Sequence, residues 1–465
     1  MVNIMPEKNP IECLMNEILD EIEMVYLHDK RPWIVGFSGG KDSTTVSQLV
    51  FKMLLRLPKE KRHKPVHIVS SDTLVENPII IDYLRKMSKM MGDSAAEQGI
   101  PLFSHMVEPE INNTFWTSVI GKGYPTPEPP GFRWCTERLK IEPSNKFIRE
   151  RIKKEGEVII LLGVRKAESI ARARRIEGRE IEGKLLNKHE VIDNAYVYNP
   201  ITELTTDDVW GILLSGSGMS PWGSDNNYLF SLYKNSDGGE CPFTILSTDK
   251  AKDTPTCGNT RFGCWICTMV KEDKSLKGFI ESGEDWLIPL REFRDWLLSV
   301  RNDPSLRDWK RRNGTVYRKG DGSFGLGPFT LEGRKTILTK LLETESIIDM
   351  PLITLDELKR IDEIWDNEGD LTRRILVNTY REVKGKELPW DKFKKPLFEE
   401  EVIINLQTHF AGTEIPFELL TKLIISVNKH KYVTRKPLLK QDFERILQEN
   451  WLHHEIMEKG IEHVD

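Results

Sequence analysis

Residues 34–43 read Ile-Val-Gly-Phe-Ser-Gly-Gly-Lys-Asp-Ser. A short apolar run ends in a glycine-rich turn, and a helical pattern begins at about Ser43. Gly39 and Gly40 let the backbone bend tightly and come close to a ligand. The N–H groups of the turn and of the helix start then converge on one spot, where the helix dipole adds partial positive charge. Ser38, Lys41 and Ser43 bring two hydroxyls and an ammonium, so the stretch reads as a nest for phosphate or pyrophosphate. It is not a Walker A loop, which spaces its glycines by four residues and ends Gly-Lys-Ser/Thr. Asp42 is placed to meet a Mg²⁺ or to cap the helix start.

The second group with chemistry in it is sulfur. Six cysteines occur, and Cys241, Cys257, Cys264 and Cys267 fall within 27 residues, spaced x15, x6 and x2. Four thiolates fit tetrahedral zinc or a [4Fe-4S] cluster. Zinc modules usually carry two Cys-x2-Cys pairs and this chain has one, so the spacing leans to iron–sulfur. Cys135 stands apart, among Arg133, Arg138 and Lys140. Cationic neighbours lower a thiol's pKa, which leaves Cys135 as a sulfur carrier, a cluster ligand or an inert residue. Cys13 lies in a leading helix and reads as structural.

The elements that must hold these groups follow from periodicity. Residues 11–28 form an amphipathic lead-in helix. Strands are expected at 33–37, 65–70, 102–107 and 157–164, with helices from the loop to about Leu57 and from Ile79 to Met91. Strands alternating with helices make an α/β fold, a Rossmann-like parallel sheet with helices on both faces. Ligands of such sheets sit at the carboxyl ends of the strands, where the loop, Asp72 and Arg165 all fall. Arg165 and Arg172 suit phosphate contact, since guanidinium grips it in a bidentate way. Residues 121–131 form a Pro/Gly loop. Helical patterns recur at 287–300, 331–346, 354–366, 369–383 and 416–427. The domain reading is an N-terminal helix over 1–30, a nucleotide domain over 31–235, a cysteine-rich segment over 236–285 and a mainly helical region over 286–465.

The chain has 465 residues, 39% hydrophobic and 30% charged, which is an ordinary globular composition. No apolar run reaches the ~18 residues of a membrane span, and the N-terminus does not read as a secretory signal, so the expectation is a cytoplasmic protein without membrane partners. A net charge of −5 does not suit a free-standing non-specific DNA binder, but it allows local basic patches. One candidate patch is Arg307, Lys310, Arg311, Arg312, Arg318 and Lys319, interleaved with Trp309, Tyr317 and Phe324.

Ser38-Gly-Gly-Lys-Asp-Ser43, Asp72-Thr73, Cys135-x4-Lys140-x2-Pro143, Gly163-x-Arg165-x2-Glu168-Ser169-x2-Arg172 and Asn199-Pro-Ile-x5-Asp207-Asp208-Val-Trp210 resemble, in order, the motifs of the phosphoadenosine-phosphosulfate reductase and PP-loop ATP pyrophosphatase superfamily. Within it, residues 132–140 and 257–267 are similar to the DndC sulfurtransferases of DNA phosphorothioation. The resemblance implies the adenine nucleotide alpha-hydrolase fold, ATP cleavage between the α and β phosphates, Mg²⁺ and a [4Fe-4S] cluster on Cys241, Cys257, Cys264 and Cys267. It implies a DNA backbone substrate, a cysteine desulfurase as sulfur donor and other proteins of that pathway as partners. Ser38, Gly39, Gly40, Lys41, Asp42, Ser43, Asp72, Arg165, Glu168, Ser169 and Arg172 would bind the nucleotide. Lys41, Asp42, Cys135 and Arg165 would act in the chemistry. Two readings compete: reduction of an adenylyl sulfate ester, which needs a cysteine near the C-terminus where none follows Cys267, and a non-catalytic nucleotide-sensing module, against which Lys41 and the intact Ser-Gly-Gly-Lys-Asp-Ser run argue.

Overall fold

The computed structural model describes residues 10–168, 173–174, 184–235, 262–312, 315–316, 325–413, 415–431 and 436–458. The chain divides into two compact units, Met1–Glu110 with Pro127–Arg291, and Ile111–Thr126 with Glu292–Asp465. Residues 111–126 thus belong with the helical unit, although they lie inside the span expected for the nucleotide domain.

The first unit holds, in order, α1 (Pro10–His28), β1 (Trp33–Gly36), α2 (Lys41–Arg56), β2 (Val66–Ser71), α3 (Pro78–Glu97), β3 (Leu102–Val107), α4 (Glu142–Glu155), β4 (Val158–Leu161), β5 (Asn187–Lys188), β6 (Ala195–Tyr198), α5 (Thr206–Leu214), α6 (Asn226–Asn235) and α7 (Lys274–Glu281). The sheet order is β3-β2-β1-β4-β6-β5. All pairings are parallel except β5 with β6, so the sheet is mixed at that edge rather than wholly parallel. The order runs outward from β1 in one direction through β2 and β3, and in the other through β4 and β6. The topological switch therefore lies between β1 and β4, which is where doubly wound sheets bind ligands.

The central strands are buried because both faces are covered. Every residue of β1, β2 and β4 is buried. Side chains alternate between faces with period two. Ile34, Val69, Val158 and Ile160 join one core cluster with Phe147 and Ile148 of α4. Trp33, the neighbour of Ile34, meets Tyr26 of α1 edge-on at 5.2 Å. At ~25 cal/mol per Å², burying each such side chain stabilises the fold by about 2 kcal/mol.

The second unit is helical: α8 (Ile288–Val300), α9 (Leu331–Ile348), α10 (Leu355–Asp366), α11 (Ile375–Lys384), α12 (Glu400–Phe410), α13 (Phe417–Lys429) and α14 (Lys436–Glu458). Threonines start two of these helices, since a hydroxyl satisfies an otherwise orphaned first-turn N–H. Thr330 accepts from Gly333, and Thr354 forms a reciprocal capping box with Glu357. Residues 111–126 pack within this unit. The Trp116 indole donates to the Leu352 carbonyl at 2.8 Å, and the Trp365 indole donates to the Ile120 carbonyl at 2.8 Å. Among the described residues, no helix is long and apolar enough to cross a membrane.

Candidate functional site

The loop from Phe37 to Gly40 joins β1 to α2 at the switch point. Gly39 sits at φ +72°, a left-handed conformation that side chains disfavour. Gly40 is the N-cap of α2 and makes no side-chain cap. The Ser43 hydroxyl donates to the Gly40 carbonyl at 3.0 Å and accepts the Ser38 N–H at 3.2 Å, which closes the loop into a ring. The Ser38 and Ser43 hydroxyl oxygens lie 3.2 Å apart.

Asp42 is the electrostatic centre of this turn. Its Oδ1 accepts Nε of Arg165 at 2.6 Å, and its Oδ2 accepts Nζ of Lys41 at 3.0 Å. The Arg165 side chain is 1% exposed, and those of Lys41 and Asp42 are 11% and 9% exposed. Asp42 therefore does not cap the helix; it holds two buried cations together. The remaining Arg165 nitrogens donate to the Leu204 carbonyl at 3.1 Å and approach the Thr206 hydroxyl at 3.4 Å. Arg165 is thus engaged inside the protein rather than presented to a ligand. The motif around Asp207 and Asp208 explains this: Thr205 and Asp208 form a capping box that fixes the start of α5 beside Arg165. Hydrogen bonds from the Thr205 hydroxyl and N–H hold the Asp208 carboxyl below its ordinary pKa.

Gly163, just after β4, lies against the same turn. A Cβ there would stand 2.8 Å from the C and O atoms of Asp42 and 3.0 Å from the N of Ser43. The close approach of two backbones requires glycine at this position. At the end of β2, Asp72 is 1% exposed; it accepts the Leu74 N–H at 2.8 Å and Nη2 of Arg85 at 2.6 Å. Glu168 follows Arg165 in a short 3-10 turn, Lys166–Glu168. Ser169 and Arg172 lie outside the described residues.

The sulfur groups approach the same sheet edge. Cys264 pairs with Glu76 as an antiparallel bridge, and the Trp265 N–H donates to the Val75 carbonyl at 3.1 Å. Thr73 Oγ1 lies 3.6 Å from Cys264 Sγ. The Cys267 N–H donates to the Cys264 carbonyl at 3.0 Å, so the two cysteines share one tight turn. The segment that carries Cys135 docks there too. Lys140 Nζ meets Glu76 at 3.1 Å, and the Ser71 hydroxyl donates to the Leu139 carbonyl at 3.4 Å. Burial pushes the Cys264 thiol well above its ordinary pKa, and the Glu76 carboxylate adds to this while Lys140 opposes it. As a free thiol Cys264 is then a poor nucleophile, whereas coordination to a metal would remove its proton. Cys241 and Cys257 lie outside the described residues. Among the described residues no group of three candidate metal ligands forms, so Cys264 and Cys267 are the half of the expected ligand set that is placed.

Residues 32–219 match the family model of the phosphoadenosine phosphosulfate reductase domain. This part of the chain is similar to that domain. The switch-point loop, the engaged Arg165 and the glycine at 163 all lie within it. Over 277 residues the chain is 26% identical to an uncharacterized protein of Methanocaldococcus jannaschii, a match covering 59% of this chain and 44% of that protein. The chain thus spans less than half the length of that relative. Among solved structures, the phosphoadenylyl-sulfate reductase of Candida auris, in a phosphate complex, is 15% identical with a TM-score of 0.29, covering 49% of this chain and 93% of its own. The U34-tRNA thiolase NcsA from Methanococcus maripaludis with its [4Fe-4S] cluster is 14% identical with a TM-score of 0.29, covering 48% of this chain and 75% of its own.

Sequence reasoning missed Tyr233, whose hydroxyl accepts the Lys41 N–H at 3.0 Å, and Glu76, which bridges Cys264 and Lys140. No local pattern marks either one. The candidate basic patch is also recast. Arg307 is 7% exposed, donates to the Gly327 carbonyl at 2.6 Å and stacks on Phe329. Arg312 pairs with Glu368 at 2.8 Å. Both serve the packing of the helical unit. Tyr317, Arg318, Lys319 and Phe324 lie outside the described residues.

Proposed function

We propose that the protein is an ATP-dependent sulfurtransferase that cleaves ATP between the α and β phosphates and installs sulfur on a DNA backbone phosphate. The observation that carries this reading is the shared sheet edge. A phosphate nest at the β1–β4 switch and a paired-cysteine turn at the end of β2 face the space beyond the same strand ends. The family match supports nucleotide-dependent sulfur chemistry, and the DNA acceptor rests on the sequence resemblance.

In this mechanism a non-bridging oxygen of the DNA phosphate attacks the α-phosphorus of ATP. The bond to the β-phosphate oxygen breaks and pyrophosphate leaves. A sulfur nucleophile at the oxidation level of sulfide then attacks the DNA phosphorus, and the activated oxygen departs with AMP. Ser38, Ser43 and the loop amides hold the pyrophosphate. Lys41 neutralises the charge that grows on it, a preorganised electrostatic role. Asp42, itself held by Arg165, fixes the position of the Lys41 ammonium. Mg²⁺ would enter with the phosphates at Asp72, whose partner Arg85 has a side chain 58% exposed and is free to swing away; Asp42 is clamped between two cations. Cys264 and Cys267 would supply two ligands to a [4Fe-4S] cluster, a group that can hold or pass sulfur and electrons when bound. Cys135, on the segment docked beside them, is the candidate sulfur carrier; its persulfide, reduced by an added thiol that supplies two electrons and ends as a disulfide, would release the sulfide-level sulfur that attacks the phosphorus and return Cys135 as a thiol.

The test is product analysis on anaerobically purified full-length protein with Mg²⁺ and ATP, with and without DNA. AMP and pyrophosphate, stimulated by DNA, are expected. ADP with phosphate, or no turnover, would overturn the reading. Turnover of a phosphoadenylyl sulfate in place of ATP would instead make the chain a sulfate-ester reductase.

A further inference from the structure

Tyr233, near the end of α6, is 7% exposed, yet its hydroxyl is spent on the phosphate nest. It accepts the Lys41 N–H at 3.0 Å and lies 3.1 Å from where a Cβ on Gly40 would stand. Nζ of Lys41 is 5.3 Å from the centre of its ring. A neutral phenol thus occupies the first amide of α2 and lies against the ammonium that the proposed function assigns to phosphate. The ring also meets Trp210 at 5.3 Å and Phe262 at 4.9 Å, both edge-on. Phe262 stands two residues before Cys264, in the stretch that bonds to Val75 at the end of β2.

We propose that the Tyr233 hydroxyl occupies the place of a phosphate oxygen at the Lys41 amide, that an incoming nucleotide phosphate displaces it, and that Phe262 carries this displacement to the Cys264–Cys267 turn. The inference rests on the phosphate-nest reading and deepens it. An anionic oxygen forms a stronger bond to an N–H at a helix start than a neutral phenol does, because charge assistance and the dipole both favour it. Lys41 gains a second counter-charge beside Asp42 where it now meets a ring face. The phosphate therefore wins, but against a resident competitor. The hydroxyl is fixed to a rigid ring, so the ring must move with it. Phe262, half-buried with its ring edge-on to Tyr233 at 4.9 Å, then shifts with it. Nucleotide occupancy and the posture of the cysteine turn become one event.

The experiment uses the full chain, with calorimetric titration of pyrophosphate and ATP and hydrogen exchange of the peptide spanning 262–268. Tyr233→Phe removes the competing hydroxyl and should bind pyrophosphate about 2- to 10-fold tighter, the range of one neutral hydrogen bond. In the wild type, pyrophosphate should alter exchange at the Trp265 and Cys267 amides. Phe262→Leu leaves the hydroxyl in place and should keep wild-type affinity while losing that response. A tyrosine that merely shaped the loop would give the opposite sign. Equal or weaker binding by Tyr233→Phe, or an unchanged response in Phe262→Leu, overturns the inference and leaves the phosphate nest standing. If the wild type binds neither ligand, the nest itself is wrong and the inference falls with it. Should Tyr233→Phe fail to fold, the Phe262→Leu exchange response decides alone.

Discussion

Asp42→Asn is the sharpest perturbation of the site, because it removes one charge and almost no volume. The amide can still accept from Arg165 but can no longer balance it. Two cationic side chains, 1% and 11% exposed, then share a buried space without their carboxylate. Removing one partner of a buried ion pair typically costs about 3–5 kcal/mol. Arg165 retains the Leu204 carbonyl and the Thr206 hydroxyl, so the lower end applies, about 3 kcal/mol. For a unit of this size each kcal/mol moves the melting midpoint by roughly 2–4 °C, giving a drop of about 6–12 °C. Urea unfolding followed by circular dichroism measures it, and a cycle with Arg165→Met isolates the pair, since the double variant no longer strands a guanidinium. Pyrophosphate brings back negative charge, so saturating pyrophosphate should stabilise Asp42→Asn more than it stabilises the wild type. A loss under about 1 kcal/mol, with no coupling to Arg165, would refute the view of Asp42 as the pivot of two buried cations.

Three further outcomes are expected. Gly163→Ala should cost about 1–3 kcal/mol by overpacking. It should lower AMP formation by far more than that destabilisation explains, because its Cβ pushes backbone that carries Asp42 and Ser43; retained turnover would show that the first turn of α2 is not fixed from β4. His67, 5% exposed, faces His105 at 3.0 Å, with Arg151 and the Phe103 and Phe147 rings around it; burial, then the charges of His105 and Arg151, pull its pKa down to about 4. The unfolded chain takes up this proton near pH 6.5, so the stability that neutral His67 allows is complete above that pH and falls by about 1.4 kcal/mol per pH unit down to about pH 4. His67→Leu should flatten that limb of an acid titration of stability, and an unchanged slope would assign it elsewhere. Cys264→Ser should strip iron from anaerobically purified protein while Cys135→Ser retains it; phosphorothioate still formed by Cys135→Ser would remove Cys135 as carrier.

The fold was legible where burial leaves a local trace. β1 to β3 carry enough apolar residues, Trp33 to Val35, then Val66, Ile68 and Val69, then Leu102, Phe103, Met106 and Val107, for pattern to place them to within a residue. β4 proved shorter than its apolar run, since Leu162 to Val164 leave the strand to reach the loop. α4 escaped notice because a charged helix, Glu-Pro-Ser-Asn-Lys-Phe-Ile-Arg-Glu-Arg-Ile-Lys-Lys-Glu, shows few apolar positions. α12 buries none of its residues and gave too weak a stripe. At the site, the loop, Asp72 and Arg165 were placed by motif and strand end. Their partners were not, because Tyr233 meets Lys41 across 192 positions and Arg165 meets Asp42 across 123. Distance along the chain erases such pairings from any local pattern.

Residues 111–126 carry a consequence measured in seconds. Trp116 and Ile120 find their partners 236 and 245 positions later, at Leu352 and Trp365. At a synthesis rate of ~5–20 residues per second, this apolar peptide waits roughly 12–50 s between its own emergence and that of Trp365. A nascent chain in that interval holds Phe115, Trp116 and Ile120 without their core, which makes it a natural client for a holding chaperone. It also means that a protein cut after Arg291 would keep that exposure permanently.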